Sequence, residues 1–266
     1  MAHMGKLLAI DGLNIVRRVY EANPDPDSPE KAELALRNAF SSFRRLLETH
    51  NPTHVLTAFD VGGRTWRHDL YPQYRQGRTP MPAHLHERLP DFYTMLSRLG
   101  LTLVRVEGVE ADDVIGTAVL RWLGEGRGDV VVASTDKDLH VLIAYGALLW
   151  DHFKSEWHDR NWVVKRFGIA PEMLTDLLAI AGDPADDIPG IDKIGQKTAA
   201  KLLNSYQSLE GIMAGAGILL NPLGQRLRAG RDKAFLSREL VKLKTDVPLG
   251  ITWNRLRYGS TTHEGS

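Results

Sequence analysis

Apolar residues occur in two textures along the chain. Short solid runs at Leu7-Leu8-Ala9-Ile10, Val55 to Phe59, Leu101 to Val106 and Asp129 to Ala133 read as buried strands. Each ends at a turn signal or an acid: Asp11-Gly12, Asp60, Glu107-Gly108 and Ser134-Thr135-Asp136. Between the runs the apolar positions change to helical spacing. Pro29 to His50 carries Leu36, Ala39, Phe40, Phe43, Leu46 and Leu47 on that period, and Ala83 to Leu99 and Glu110 to Leu123 continue it. Strands alternating with helices predict an α/β fold, a mainly parallel sheet covered by helices on both faces.

Beyond about residue 161 the pattern turns helical, with predicted helices at Pro171 to Ala181, Gln196 to Tyr206 and Asp232 to Lys244. Gly182 to Gly195, rich in Gly, Pro and Asp, separates the first two. The expected division is an α/β core over 5–165 and a helical region over 166–258, closely packed because no low-complexity linker joins them. One segment fits neither texture. Arg64 to Pro82 is polar, basic and aromatic without a clean period.

The 266 residues include no cysteine, which excludes disulfide frameworks, thiolate-held zinc, iron–sulfur clusters and thiol catalysis. The longest apolar run, Val141 to Trp150, is half of the about 20 residues a membrane span needs. No charged-then-apolar leader pattern is present, so a cytoplasmic protein is expected. Met1 to Met4 (MAHM) reads as a cloning remnant. Net charge is zero, but its distribution is uneven. Gly190 to Tyr258 holds 12 Lys and Arg against five acids, and Arg64 to Arg88 five Arg against two acids. The acids are therefore concentrated elsewhere.

They stand at strand ends. Asp11, Asp60 and Asp136 each close a predicted strand, and Glu110, Asp112 and Asp113 open the helix after the third. In a parallel sheet these ends share one edge, where α/β proteins bind ligands. Singly, each acid also fits a structural duty: Asp11 can cap a turn, and Glu110 to Asp113 can complement a helix dipole. Collectively they cannot go uncompensated, since two unit charges 4 Å apart repel by about 4 kcal/mol at an effective dielectric of 20. Carboxylates without His or Cys partners select hard cations such as Mg²⁺ or Mn²⁺. Two such ions can activate water and stabilise a leaving oxygen at a phosphodiester. Asp136 and Asp138, two apart on extended backbone, can face one ion. Asp183 and Asp186, at i and i+3 near a helix end, lie on one side of a helical turn or simply cap it.

The basic elements complement this edge. Pro189 to Ala199 has the form of a hairpin opening a helix. Gly190 and Gly195 permit close backbone approach to a phosphate, the helix start offers N–H groups, and Lys193, Lys197 and Lys201 add charge. Trp66 to Arg78 interleaves Arg with Trp and Tyr, which suits contact with a single nucleic-acid strand, bases stacking and phosphates meeting Arg, or else a surface loop whose aromatics pack on the sheet.

In these motifs the chain resembles the 5′-nuclease (flap endonuclease) family, including the 5′→3′ exonuclease domain of bacterial DNA polymerase I. The resemblance spans Leu7 to about Pro248. It rests on Asp11-Gly12, Phe59-Asp60, Trp66-Arg67-His68 to Tyr74-Arg75-Gln76-Gly77-Arg78, Val109 to Asp113, Thr135 to Asp138, and Gly182-Asp183 through Gly190 to Ala199. It implies a PIN-like or Rossmann-like core, a helical arch at about 64–90 and a C-terminal helix–three-turn–helix DNA module. It implies two-metal hydrolysis of DNA at 5′ ends and 5′ flaps, in primer removal and repair, by a monomeric, nucleoid-associated enzyme, expected to stand alone because no polymerase pattern follows in the sequence. Its substrates would be flapped, nicked or gapped duplexes and RNA primer–DNA hybrids. Asp11, Asp60, Glu110 and Asp112 match the first-metal group. Asp113, Asp136, Asp138, Asp183 and Asp186 match the group spanning the second ion. Arg67, Arg75 and Arg78 match arch positions that hold the scissile region. Gly190, Lys193, Gly195, Lys197, Thr198 and Lys201 match the DNA module, where backbone carbonyls near Ile191 and Ile194 can also hold K⁺.

Two positions depart from the family pattern. Arg75 stands where Lys is common, which preserves an electrostatic role but not one needing a neutral amine. Asp187 stands where Asn is common. Two other functions remain open on the sequence: a PIN-type ribonuclease with a similar acidic edge, and a branched-DNA-binding protein without catalysis. An aspartyl-phosphate phosphatase fits poorly, because Gly12-Leu13 follows Asp11 without an alternate second Asp.

Overall fold

The computed structural model describes residues 5–259, so Met1 to Met4 lie outside the described residues. The apolar runs form six strands in the order β3-β2-β1-β4-β5-β6. They are β1 Gly5–Asp11, β2 His54–Ala58, β3 Thr102–Val104, β4 Gly128–Ala133, β5 Leu148–Asp151 and β6 Glu156–His158. The first five are parallel and β6 returns antiparallel along β5. In β1, Leu7 and Ala9 face one side and Leu8 and Ile10 the other, and all four are buried. Alternating side chains on a strand covered on both faces require such a solid run.

On one face lie α1 (Gly12–Glu21), α2 (Pro29–His50) and α4 (Ala83–Arg98), packed by Phe43, Leu46, Leu85, Phe92 and Leu96. On the other lies α5 (Ala111–Gly124), which adds Val114, Ile115, Ala118 and Trp122 to a core continuous with the helical region. That region comprises α6 (Arg160–Phe167), α7 (Leu174–Ala181), α8 (Gln196–Tyr206), α9 (Leu209–Ala216), α10 (Pro222–Ala229) and α11 (Arg231–Val241). Leu177, Ile180, Ala199, Leu203 and Leu227 share one cluster with the sheet residues Leu7 and Val132. After α11 the chain turns back over the core. Lys244 and Val247 bond to the Asp113 and Thr117 side chains of α5, and the Tyr258 N–H donates to Thr53 O.

Several elements differ from the sequence expectation. The helix α1 follows β1 without a loop: Asp11 caps it, accepting from Asn14 N at 3.1 Å. A Cβ at Gly12 would lie 2.3 Å from the Phe59 ring, so only glycine permits this tight strand-to-helix passage. The apolar run 141–150 divides into the end of a 3₁₀ segment (Asp138–Tyr145) and β5. The short helix α3 (Trp66–Leu70) begins the basic–aromatic segment, which rests on the start of α5. The helix that follows it, α4, buries Leu85 and Leu89 in the sheet core.

Candidate active site

The strand order reverses direction between β1 and β4, and ligand crevices form at such a switch point, outside the C-terminal ends of the strands. Asp11 ends β1, Asp60 lies two residues past β2, and Asp136 three past β4. Glu110 is the N-cap of α5, and Asp112 lies in its first turn. Ser134 Oγ donates to Asp11 Oδ2 at 2.9 Å, and Ala111 N to Asp60 Oδ1 at 2.6 Å. Asn14 Oδ1 accepts from Thr135 N and Oγ1, and Arg18 donates to Thr135 Oγ1, which ties the loop bearing Asp136 to α1. None of Ser134, Asn14 and Arg18 stood out in the sequence. Their only signal was proximity to Asp11 and Asp136.

The electrostatics join the acids into one cluster. Burial and then the charge of Asp136 push Asp11 from 3.8 up to about 7, against hydrogen bonds from Asn14 and Ser134. Burial, Asp136 and Asp11 push Asp112 well up, against Arg75. Asp138 rises through burial and Asp136, with Asp186 and Asp183 adding to it and Lys137 opposing. Asp136 is thus the leading neighbouring charge on Asp11, Asp112 and Asp138. Glu110 is also raised by burial, opposed by Arg75 and Arg67.

These shifts give a pH prediction for the metal-free protein. Asp11 binds its proton near pH 7 when folded and near 3.8 when unfolded, so the native state holds more protons between those values. Its contribution to stability therefore falls as pH rises through that window. Asp11→Asn should raise the melting temperature in EDTA at about pH 8. The gain should shrink as pH falls through about 7 toward 4. A gain independent of pH in calorimetry would contradict the assignment.

Asp183 and Asp186 do not sit on a helical turn. Gly182, at φ +73°, ends α7, and Asp183 and Ile188 then form an isolated antiparallel bridge with 2.8 Å bonds in both directions. The turn between them still aims both acids at Asp138. One carboxylate oxygen from each of Asp138, Asp183 and Asp186 falls within 4.8 Å of the others. Asp136 and Asp138 are likewise not on extended backbone: Asp138 N donates to Asp136 Oδ1 at 3.0 Å and starts the 3₁₀ segment. Oxygens opposite each other around a Mg²⁺-sized ion lie about 4.2 Å apart. The all-carboxylate triad fits a hard divalent ion in both spacing and donor type.

Asp113 is a correction. Its Oδ1 accepts from Arg67 Nη2 at 2.9 Å and Lys244 N at 2.9 Å. Its Oδ2 accepts from Arg67 Nη1 at 2.8 Å, Trp66 Nε1 at 3.0 Å and Glu110 N at 3.2 Å. Burial would raise its pKa, but the Arg67 bonds with those of Lys244 and Trp66 outweigh it and hold it below the usual range. No lone pair is left for a cation. Arg67 is corrected with it: 3% exposed, it also donates to Leu240 O and Lys242 O, and it braces α3, α5 and the end of α11 rather than facing a substrate.

Arg75 does face the cluster. Its Nη1 lies 3.0 Å from Glu110 Oε2, and its Nε donates to Asp186 Oδ1 at 2.8 Å, so it spans the two carboxylate groups. Tyr74 OH and Thr65 Oγ1 also donate to Glu110, roles the sequence did not single out. Asp187 accepts from Gly77 N at 2.7 Å and bonds the turn to the basic segment. Arg78 is exposed beside it.

In the helical region, Gly195 is the N-cap of α8, with no side-chain cap and open space at its Cβ position. Lys193, Lys197 and Lys201 are exposed around it and Thr198 is half-buried. Gly190 is a correction. It is buried, its N–H goes to Ser237 Oγ, and its Cβ position lies 2.4 Å from Gly182 N, so it permits a backbone crossing and presents nothing to a phosphate. Ile191 O already accepts from Ile194 N at 3.0 Å within the turn.

A switch-point crevice lined by carboxylates, beside a helical module with a lysine-rich helix start, defines a metal-dependent nuclease. The chain belongs to the 5′–3′ exonuclease family. Residues 6–168 match the model of the 5′-3′ exonuclease N-terminal resolvase-like domain, and residues 169–264 that of the C-terminal SAM fold. Flap endonuclease Xni of Shewanella amazonensis is 38% identical over 96% of this chain and 98% of its own. The Shewanella oneidensis protein of that name is 36% identical over 99% of both. Among solved structures, a T5 5′-exonuclease superposes with a TM-score of 0.73 at 21% identity, over 91% of this chain and 89% of that one. The catalytic core of Rad2, in complex with a DNA substrate, gives 0.59 at 15% identity over 96% and 82%. At such identities these last two establish the fold.

Proposed function

We propose that the chain is a structure-specific 5′ nuclease that cleaves DNA at 5′ ends and 5′ flaps, acting as a monomer in primer removal and repair. Flapped, nicked or gapped duplexes and RNA primer–DNA hybrids are its substrates. The observation that carries this reading is the convergence of Asp11, Asp112, Asp136, Asp138, Asp183 and Asp186 at one switch-point crevice. Asp11, Asp60, Glu110, Asp112 and Asp136 would hold one divalent ion, and Asp138, Asp183 and Asp186 a second, with Asp136 between them. Mg²⁺ or Mn²⁺ suits these oxygen donors. Such ions supply an activated water and charge stabilisation at a phosphodiester.

The protein's own groups do the rest. Arg78, which is exposed three residues after Arg75, and Arg75, once drawn off its carboxylates, would meet the negative phosphate as charge develops. Lys193, Lys197 and Lys201, around the uncapped start of α8, grip the duplex backbone without reading sequence, and such binding weakens steeply with salt. The carbonyls of Ile191 and Ile194 remain candidates for K⁺. Among the described residues no helix is long and apolar enough to cross a membrane.

The test is cleavage of a labelled 5′-flap DNA duplex beside single-stranded RNA, with Mg²⁺, Mn²⁺ or EDTA. Metal-dependent cutting of the flap in preference to the RNA is expected. Preferential RNA cutting would favour a ribonuclease, and binding without cutting a non-catalytic protein.

A further inference from the structure

Lys137 stands between Asp136 and Asp138 in sequence, yet its ammonium reaches across to the 182–188 turn. Nζ lies 2.5 Å from Asp183 Oδ2. The Asp183 side chain is only 5% exposed, and its other oxygen accepts from Ala185 N at 3.0 Å. Among the described residues Oδ2 has no other protein donor, which leaves it the open oxygen that Asp183 can bring to the Asp138–Asp183–Asp186 triad. Lys137 itself is 33% exposed, so its stem has open space to swing into. Arg75 makes the matching contact on Asp186 from the opposite element.

An ion in this triad would sit about 2.1 Å from its oxygens. An ammonium 2.5 Å from Asp183 Oδ2 would then stand within a few ångströms of it. Even two single charges 3 Å apart repel by about 5 kcal/mol at an effective dielectric of 20. Ammonium and ion cannot share that oxygen. We propose that Lys137 is the resident counter-cation of the triad: it holds Asp183 in place in the metal-free protein and is expelled into solvent when a divalent ion enters. The exchange keeps the turn ordered without a metal and sets the threshold ion concentration at which this site fills. Lys137 is a positioning residue in this account, and the inference rests on the two-ion reading above.

Three measurements on the full chain test it, with Mn²⁺ alone as probe. In the wild type, acetylation of lysines followed by mass spectrometry should show Lys137 becoming several-fold more reactive at saturating Mn²⁺, while Lys201 is unchanged. In Lys137→Met, calorimetric titration should show one Mn²⁺ site tightened about fivefold, which is ~1 kcal/mol at ~1.4 kcal/mol per decade. Its metal-free melting temperature should fall and recover on Mn²⁺ addition, and Lys137→Arg should restore wild-type affinity. Lys137 reactivity that stays constant or drops on Mn²⁺ binding, or unchanged or weakened affinity in Lys137→Met, would overturn the inference alone. A wild type that takes up no Mn²⁺ at the triad would overturn it together with the two-ion reading.

Discussion

Asp112→Asn should reduce flap cleavage by a thousandfold or more while leaving DNA affinity within about twofold of wild type. A thousandfold is about 4 kcal/mol of transition-state stabilisation, within the several kcal/mol that charge stabilisation by a bound ion supplies. The reason is local. Asp112 is nearly buried and surrounded by Asp11, Asp136 and Asp138, and no arginine makes a direct bond to it. Its charge is useful only toward a cation. The same change should raise the metal-free melting temperature, because it removes one charge from a mutually repelling group. Lower activity with higher stability is the signature of a site held against its own electrostatics. Asp112 lies on α5 and the DNA-gripping lysines lie at the start of α8, so binding should persist. Single-turnover cleavage, fluorescence anisotropy in Ca²⁺ and thermal melting in EDTA measure the three effects. Near wild-type cleavage, or a fall in metal-free stability, would remove Asp112 from the metal group.

Arg67→Ala should destabilise the fold by about 3–5 kcal/mol, the usual cost of leaving a buried charge unpaired. Asp113 is fully buried and depends on Arg67 for two of its five hydrogen bonds. The guanidinium also lies 4.4 Å from the Trp66 ring centre and satisfies the carbonyls of Leu240 and Lys242. Arg67→Met with Asp113→Asn should lose less than the single change, since no unpaired charge is left at 113 and the amide oxygen still accepts hydrogen bonds there. Urea denaturation of wild type, the single and the double variant gives the cycle. If the Arg67→Ala protein is as stable as wild type but inactive, Arg67 acts on the substrate instead.

The contrast between Asp112 and Asp113 shows where sequence reasoning stops. The two are adjacent and chemically identical, but consecutive residues on a helix point about 100° apart. When Asp112 faces the crevice, Asp113 must face the body of the protein. The sequence contained that constraint, but Asp113's partner, Arg67, lies 46 positions away in a segment that reads as a nucleic-acid contact. The strand ends were legible for a physical reason. A strand buried on both faces needs a solid apolar run, and an acid closing such a run marks the sheet edge. The helix α1 was not legible, because Ile15, Val16, Val19 and Tyr20 are weak helix formers that resemble a continuing strand. Asp183 and Asp186 were legible as a pair but not in their geometry, since Gly182 ends the helix through its left-handed conformation. Lys137 stood in full view inside an Asp-Lys-Asp triplet. Only the fold shows that its ammonium makes its direct contact with Asp183, across the crevice from its sequence neighbours.

The most direct measurement is anomalous diffraction from crystals grown with Mn²⁺. The account predicts two peaks in the switch-point crevice, one within about 2.2 Å of carboxylate oxygens from Asp112 and Asp136, the other equally close to Asp138, Asp183 and Asp186. A crevice without peaks, with Lys137 and Arg75 still seated on Asp183 and Asp186 at saturating Mn²⁺, would contradict it.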